Sequence, residues 1–336
     1  MPPPSSTNAD DNIHVLILGA GLGGLTLAQS LRRKGVSVEI FERDESMGSR
    51  SGGWAISIHT ILERLKHSVP QDVPPIQEAN HLLPLDLPAQ LCFYGGGGKA
   101  FVQSSPEQPV VRANRRRLRE MLTSNLDIQW NRSVSRIEQD EKLVKIEFAD
   151  GSNAVGNVLV GADGANSFGK PCVFLPSPVA DLITVRKTLL PSTKLATLPA
   201  GTINGEVSLN NDQFQKQLEL AHSAYVAAAE GYHLYVGLSE VLADRLGARY
   251  YWYLNFYDPE AGNEPYWTAT ADKQDMYDYA VKKTQTLEPR FSEIVGLTKP
   301  SDIIAPPIVF RDLLLHEIPQ GRITLLGDAV SCNSLS

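Results

Sequence analysis

Three glycines, Gly19, Gly21 and Gly24, stand at the spacing G-x-G-x-x-G, and what flanks them leaves few folds open. Before them runs Val15-Leu16-Ile17-Leu18, an apolar stretch suited to a parallel strand buried on both faces. After them Leu25 to Lys34 is amphipathic and closes on Gly35, which predicts a helix; Val36 to Phe41 predicts a second strand ending on Glu42. The order strand, glycine turn, helix, strand, acid has a physical logic. Gly19 permits the tight turn, Gly21 lets a pyrophosphate approach the backbone, and Gly24 lets helix and strand pack closely. The helix N-terminus offers unpaired N–H groups and the positive end of its dipole to phosphates. Glu42, roughly 20 residues on, is placed to accept from a ribose hydroxyl. The pattern predicts an adenine-dinucleotide site without separating FAD from NAD. A carboxylate at 42 disfavours a 2′-phosphate there. Arg43, beside it, tempers that repulsion and is counted with the cofactor-binding residues.

Length and charge narrow the rest. With 336 residues the chain is long enough for a large core and two domains. A hydrophobic share of 42% and a charged share of 21% are those of a globular protein, and a net charge of −7 argues against nucleic acid as a partner. Cys92, Cys172 and Cys332 are far apart, show no metal-ligand spacing, and suit a reducing, cytoplasmic setting. Residues 1–12 are polar and lack a basic n-region, so a disordered tail is expected and no signal peptide; no apolar run is long enough for a transmembrane helix.

Along the chain, Arg50 is a candidate phosphate contact, and Gly52-Gly53 would let backbone lie against a flat ring. Trp54 to Ile58 reads as a strand, Ile61 to His67 as a short helix, and the proline-rich stretch 69–90 as a surface loop. Leu91 to Tyr94 and Lys99 to Gln103 flank four glycines as a hairpin. Asn114 is the expected N-cap of a helix reaching Ser124, whose first turn is Arg115-Arg116-Arg117. Cations there oppose the helix dipole. They are read as a solvated face, or, for one of them, as a contact to dinucleotide phosphates. Ile128 to Glu138 and Leu143 to Phe148 alternate as antiparallel strands, and Val158 to Gly164 is an apolar strand ending in Asp163-Gly164. In the second region Thr202 to Leu209 is a predicted strand, Asp212 to Glu230 a long helix, Tyr232 to Leu238 and Arg249 to Tyr257 aromatic strands, and Asp272 to Leu287 a helix. Such strands are either core or the wall of a pocket for a flat hydrophobic substrate. Arg322 to Leu326 returns to a buried strand ending in Gly327-Asp328.

Three pieces together carry a resemblance: GAGLGG with Glu42, VLVGADGANS at 158–167, and RITLLGDAV at 322–330. The set resembles the class A flavoprotein monooxygenases, the para-hydroxybenzoate hydroxylase-like group, over nearly the whole chain, and a fungal subgroup in particular. The resemblance implies an α/β fold in which a Rossmann-like FAD-binding domain is interrupted by a β-sheet-based substrate domain. It divides the chain into FAD-binding segments 13–187 and 320–336, and a substrate domain 188–319. It assigns Gly19, Gly21, Gly24 and Glu42 to the ADP part of FAD; Gly53, read above as backbone against a flat ring, is counted with the cofactor-binding residues. Arg115, in Arg-x-x-Leu with Leu118, matches the cofactor-contacting arginine; Asp163 would serve FAD and NAD(P)H, and Asp328 the ribityl chain. The implied reaction is hydroxylation or epoxidation of a small hydrophobic, aromatic or secondary-metabolite substrate with O₂ and transient NADH or NADPH. No catalytic acid or base is named by the motifs.

Two departures temper this. The family runs Asp-Gly-x-x-Ser-x-Val-Arg, whereas here FGKPCVFLPSPVADLI intervenes between Ser167 and Thr184, so that Arg186 stands as the displaced arginine; a surface loop and a translated intron both account for it. The family also continues past Gly-Asp-Ala into a proline–glycine loop and a helix, whereas this sequence stops at Ser336, which reads as a C-terminal truncation. The competing expectations are an impaired flavoprotein that only binds dinucleotide and an NAD-dependent dehydrogenase.

Overall fold

The computed structural model describes residues 13–49, 53–103, 110–164, 185–192, 196–263, 266–305, 307, 310–312 and 319–327. At one end lies a five-stranded sheet in the order Ile323–Leu325, Val158–Gly161, His14–Leu18, Ser37–Phe41, Ile128–Gln129, with every neighbouring pair parallel. Alternate residues of the His14–Leu18 strand enter different cores. Val15 and Ile17 pack with Leu25 and Ala28 of helix Leu22–Arg33, and with Leu118, Met121 and Leu122 of helix Arg115–Leu122. Leu16 and Leu18 pack on the opposite face with Val144, Ile146 and Phe148. Those belong to a three-stranded antiparallel sheet made by Val134–Gln139, Val144–Phe148 and Asn153–Gly156. Burial on both faces is why the strand is an unbroken apolar run.

The second layer is a six-stranded sheet in the order Ala200–Asn210, Gly247–Tyr257, Tyr232–Val241, Ala224–Ala229, Leu91–Gly95, Ala100–Gln103. Helices Asn211–Leu220, Lys273–Thr284 and Pro289–Leu297 contribute to its core. In the Gly247–Tyr257 strand Ala248, Tyr250, Trp252, Leu254 and Phe256 enter that core. By the two-residue period of a strand, Tyr251, Tyr253 and Asn255 face the other way. On that side lies a two-stranded antiparallel piece, Ala55–Ile58 with Val111–Asn114. It bridges the layers, because Asn114 is also the cap of the helix that packs on the parallel sheet; its side chain accepts from the N–H groups of Arg116 and Arg117, both at 3.1 Å.

Several expectations change. Asp212 to Glu230 is not one helix. A capping box between Asn210 and Gln213 opens a helix that stops at Leu220, and Ala224–Ala229 becomes a strand. AYVAAA has the composition of a helix, but pairing with Tyr232–Gly237 on one side and Leu91–Gly95 on the other fills both of its edges, and tertiary context overrides propensity. Leu91–Gly95 and Ala100–Gln103, although inside the 13–187 segment, therefore belong to the second sheet. Ile128 to Glu138 divides into an edge strand of the parallel sheet and a separate hairpin arm, with Asn131 at φ 57° between them. Helix Pro289–Leu297, with Pro289 in its first turn, was not anticipated. The Arg322 to Leu326 strand forms as Ile323–Leu325, paired with Val158–Gly161.

Candidate functional site

The glycine turn lies where the first strand meets its helix. Gly19 has φ +112°, and a Cβ there would fall 2.3 Å from the Ala162 carbonyl oxygen; one on Gly24 would fall 2.1 Å from the Gly19 carbonyl oxygen. Both positions exclude a side chain, the first through conformation and crowding, the second through helix–turn packing. Gly21 differs: a Cβ there would meet nothing within 4 Å. Its glycine is not needed for internal packing and leaves open space in front of the helix. Gly21 makes no side-chain cap and the first turn holds no acid, so the N–H groups at that end are not taken by side chains.

Glu42 closes the cradle. It is 8% exposed. One carboxylate oxygen accepts from Ala20 N at 2.8 Å and the other from Asp44 N at 3.1 Å. Arg119, not singled out in the sequence, is the cation of this region. Its Nε donates to the Ala20 carbonyl at 2.8 Å, its Nη1 to the Met47 carbonyl at 3.3 Å, and its Nη2 lies 3.9 Å from Glu42. Its guanidinium carbon stands 5.7 Å from the Trp130 ring centroid. The available signal was the spacing: Arg119 follows Arg115 by four residues and so shares its helix face.

The structure sorts the Arg115–Arg117 triplet. A Cβ on Gly53, which has φ +74°, would meet Arg115 Cδ at 3.1 Å, and Arg115 N donates to the Trp54 carbonyl at 3.1 Å, so these two predicted residues do come together. Arg116 is exposed and pairs with Glu120 at 2.9 Å. Arg117 donates to the Asn80 carbonyl at 3.0 Å. Asp163 follows Ala162, and its backbone nitrogen lies 2.9 Å from the position of a Gly19 Cβ, which sets it beside the turn. Arg43 is half-buried next to Glu42. Leu326 lies 3.8 Å from the position of a Gly23 Cβ, bringing the end of the last strand to the helix start. Asp328, Arg50, Gly52 and the 168–183 stretch lie outside the described residues.

A second cluster sits where the two-stranded piece meets the aromatic face of the six-stranded sheet. Trp54 stacks on Tyr251 with centroids 4.5 Å apart and planes at 6°, and meets Tyr253 edge-on at 5.1 Å. The Trp54 indole N–H donates to Glu206. Gly237 makes room for Tyr251, since a Cβ there would lie 2.7 Å from its ring. Arg112 is buried beneath these rings. It donates to Ser57 Oγ at 2.8 Å and to the Tyr251 hydroxyl, and lies 5.6 Å from the Tyr235 ring centroid. Burial pushes the Tyr235 and Tyr253 hydroxyls well above the usual tyrosine range, so both are neutral. His81 is fully buried, and its Nδ1 donates to the Arg112 carbonyl at 2.6 Å. Burial, then the nearby charge of Arg112, lowers its pKa to about 3, so it is neutral, and its Nε2 has no partner. Sequence reasoning found the aromatic strands but neither Arg112 nor His81; the alternation of Tyr251 and Tyr253 was the legible part.

Comparison with known proteins places this geometry. Residues 17–73 match the family model of an NAD(P)-binding Rossmann-like domain. The chain is 40% identical to the FAD-dependent monooxygenase thnD of Trichoderma harzianum over 325 residues, 94% of this chain and 76% of that protein. A probable FAD-dependent monooxygenase of Arthroderma benhamiae is 38% identical over 46% of this chain and 37% of its own length. Among solved structures, an FAD-containing monooxygenase assigned in Photorhabdus luminescens superposes with a TM-score of 0.72 at 25% identity, covering 95% of this chain and 81% of that one. Klebsiella pneumoniae HpxO, solved with FAD and uric acid, shares the fold at a TM-score of 0.67 and 19% identity, over 96% of this chain and 74% of its own.

Proposed function

Since the chain belongs to the FAD-dependent monooxygenases, we propose that its own reaction is the oxygenation of a flat, hydrophobic small molecule, aromatic or of secondary-metabolite type, with NAD(P)H as reductant. The observation that carries the substrate class is the aromatic face: Tyr235, Tyr251 and Tyr253 turn away from the core of their sheet, toward Trp54 and the strand that runs into Arg115. FAD fits the residues present. The open space at Gly21 suits a pyrophosphate against the uncapped helix N-terminus, and the Glu42 carboxylate suits ribose hydroxyls. When bound, the flavin supplies the redox chemistry between nicotinamide, O₂ and substrate.

The chain's own residues bind, orient and exclude water. Arg119 sets positive charge beside the cradle and Arg115, one helical turn before it, lies at Gly53; we assign Arg115 to the cofactor phosphates. Asp163, Arg43, Gly53 and Asp328 complete the cofactor set in this reading. The stacked rings of Trp54 and Tyr251 set apolar surface at the face between the layers. The division into segments 13–187 and 320–336 for the cofactor and 188–319 for the substrate is retained, with 91–103 lent to the substrate sheet. No helix among the described residues is long and apolar enough to cross a membrane.

The test is the visible spectrum of the purified protein, followed by NAD(P)H and O₂ consumption with a panel of polycyclic phenols and neutral aromatics. Bound FAD and an oxygenated product from at least one aromatic are expected. A protein that binds NAD but no flavin would refute the reading.

A further inference from the structure

Two helices carry the groups of the cradle, and one buried side chain between them ties the second to the first. Helix Leu22–Arg33 begins at the glycine turn, and helix Arg115–Leu122 carries Arg115 and Arg119. The seam between them is apolar: Leu25, Ala28, Leu118, Met121 and Leu122 share one core. Gln29 stands beside that seam and is 0% exposed. Its Nε2 donates to the Leu122 carbonyl at 2.8 Å and to the Ser124 carbonyl at 2.9 Å, at the end where a helix leaves its own carbonyls unpaired. Its Oε1 accepts from Arg32 Nε at 3.0 Å. Arg32 holds Asp72 through two bonds, at 2.9 and 2.6 Å, and Asp72 accepts from Asn125 Nδ2 at 2.9 Å, which returns the chain of bonds to the same turn. The amide is therefore fixed in one orientation, with its donors and its acceptor engaged. An apolar side chain of this size would bury here at lower cost, since an amide gives up its water. Apolar packing has no direction and sets no register, whereas bonds to two particular carbonyls do.

We infer that Gln29 is a positioning residue for the cofactor. It fixes the slide and the rotation of the arginine-bearing helix against the glycine-bearing one, so that Arg115 stands where the FAD phosphates arrive. This rests on the assignment of Arg115 to those phosphates. The lever is short. Arg119 ties its helix to the glycine turn, Nε donating to the Ala20 carbonyl at 2.8 Å. Leu122 follows Arg119 in that helix, and Arg115 precedes it by one turn, about 6 Å along the axis. With the Leu122 carbonyl held by Gln29, the helix does not pivot about its tie to Ala20. With that carbonyl released, a turn about the tie swings Arg115, and the neighbouring Gly53, relative to the open space at Gly21.

The experiment measures FAD affinity of the full chain, stripped of flavin and titrated with FAD, by quenching of flavin fluorescence, with the melting temperature alongside. Gln29→Met keeps the volume and removes the donors, and is expected to weaken FAD binding by roughly tenfold. The same substitution in a chain that already carries Arg115→Ala should cost about threefold or less, because the contact it positions is gone. That coupling is the readout a purely structural loss would not give. Met121→Ala, a packing loss in the same seam with Gln29 in place, should lower the melting temperature at least as far while leaving FAD affinity within about twofold of wild type. Three results would each overturn the inference while the wild type still binds FAD and the monooxygenase reading stands: an unchanged affinity in Gln29→Met, an equal loss with and without Arg115, or an equal loss in Met121→Ala. Absence of FAD binding by the wild type would overturn both. Where Gln29→Met does not fold, the wild type decides: the side-chain amide protons of Gln29 should exchange slowly with water, as two buried bonds require, and exchange at the rate of an exposed glutamine would overturn the inference.

Discussion

Half-buried Arg119 and buried Arg112 sit in regions built on different terms. Arg119 lies in a cradle whose polar groups answer one another: Glu42 accepts from Ala20 and Asp44, and Arg119 binds the Ala20 and Met47 carbonyls with Glu42 at 3.9 Å. Arg112 lies against aromatic rings, donates to the Ser57 and Tyr251 hydroxyls, and keeps an Nε with no partner among the described residues. The cradle is pre-organised and nearly balanced in charge, as suits a cofactor kept through many turnovers. Around Arg112 no carboxylate among the described residues answers the charge; hydroxyls and an aromatic ring surround it instead.

The sharpest way to break the comparison is inside the cradle. Gly24→Ala places a Cβ 2.1 Å from the Gly19 carbonyl oxygen, and the expected loss is roughly 3 kcal/mol or more of stability, read as a large fall in the melting temperature of the apoprotein. Gly21→Val has open space around it and should melt close to wild type while losing FAD affinity. If both variants melt alike, Gly21 is a packing glycine and the open space has another purpose.

Next in size are the charged groups. Glu42→Ala should weaken FAD binding by about 1.5–3 kcal/mol, since a charged acceptor is lost, whereas Glu45→Ala should change it little. Arg115→Ala should lower FAD retention by a comparable amount, and more than Arg117→Ala, whose guanidinium is engaged with the Asn80 carbonyl. Dissociation constants from flavin fluorescence decide both; a larger effect at 45 or 117 would reverse the assignments.

The region around Arg112 is probed through His81. Its pKa falls from the ordinary 6.5 to about 3 on folding. As the pH drops below 6.5 the unfolded chain takes up a proton that the folded chain refuses, so stability is full above 6.5 and is lost as pH falls toward 3. From this group alone the folded state should lose about 2 kcal/mol between pH 7 and pH 5, and His81→Gln should flatten that part of a denaturation series. An unchanged slope would mean that the imidazole is charged in the fold. The smallest effect belongs to Arg116→Ala. Its exposed pair with Glu120 should contribute no more than about 0.5 kcal/mol to urea stability, with FAD binding untouched.

How far each region was legible follows from how local it is. Gly19, Gly21, Gly24 and Glu42 lie within one strand–helix–strand unit, so spacing alone was enough to bring the acid back beside the turn at Ala20. The start of the helix at Arg115 was legible for the same reason, its cap Asn114 being one residue away. Arg112 was not, because its partners Ser57, Tyr235 and Tyr251 are distant in sequence and meet it only when the two layers pack.

What the sequence determined by itself was therefore the strand–helix–strand unit and its cradle, where hydrophobic period, glycine sterics and helix-end electrostatics act over a few turns of chain. Tertiary structure decided three other things. Ala224–Ala229 became a strand, because open sheet edges on both sides outweighed its helical composition. One face of the Gly247–Tyr257 strand became core and the other an aromatic face against Trp54, although tyrosine occurs on both. Arg112 was buried with no carboxylate pairing with it among the described residues, since whether a buried cation is paired depends on which segments the packing brings within reach, and spacing along one segment carries no record of that.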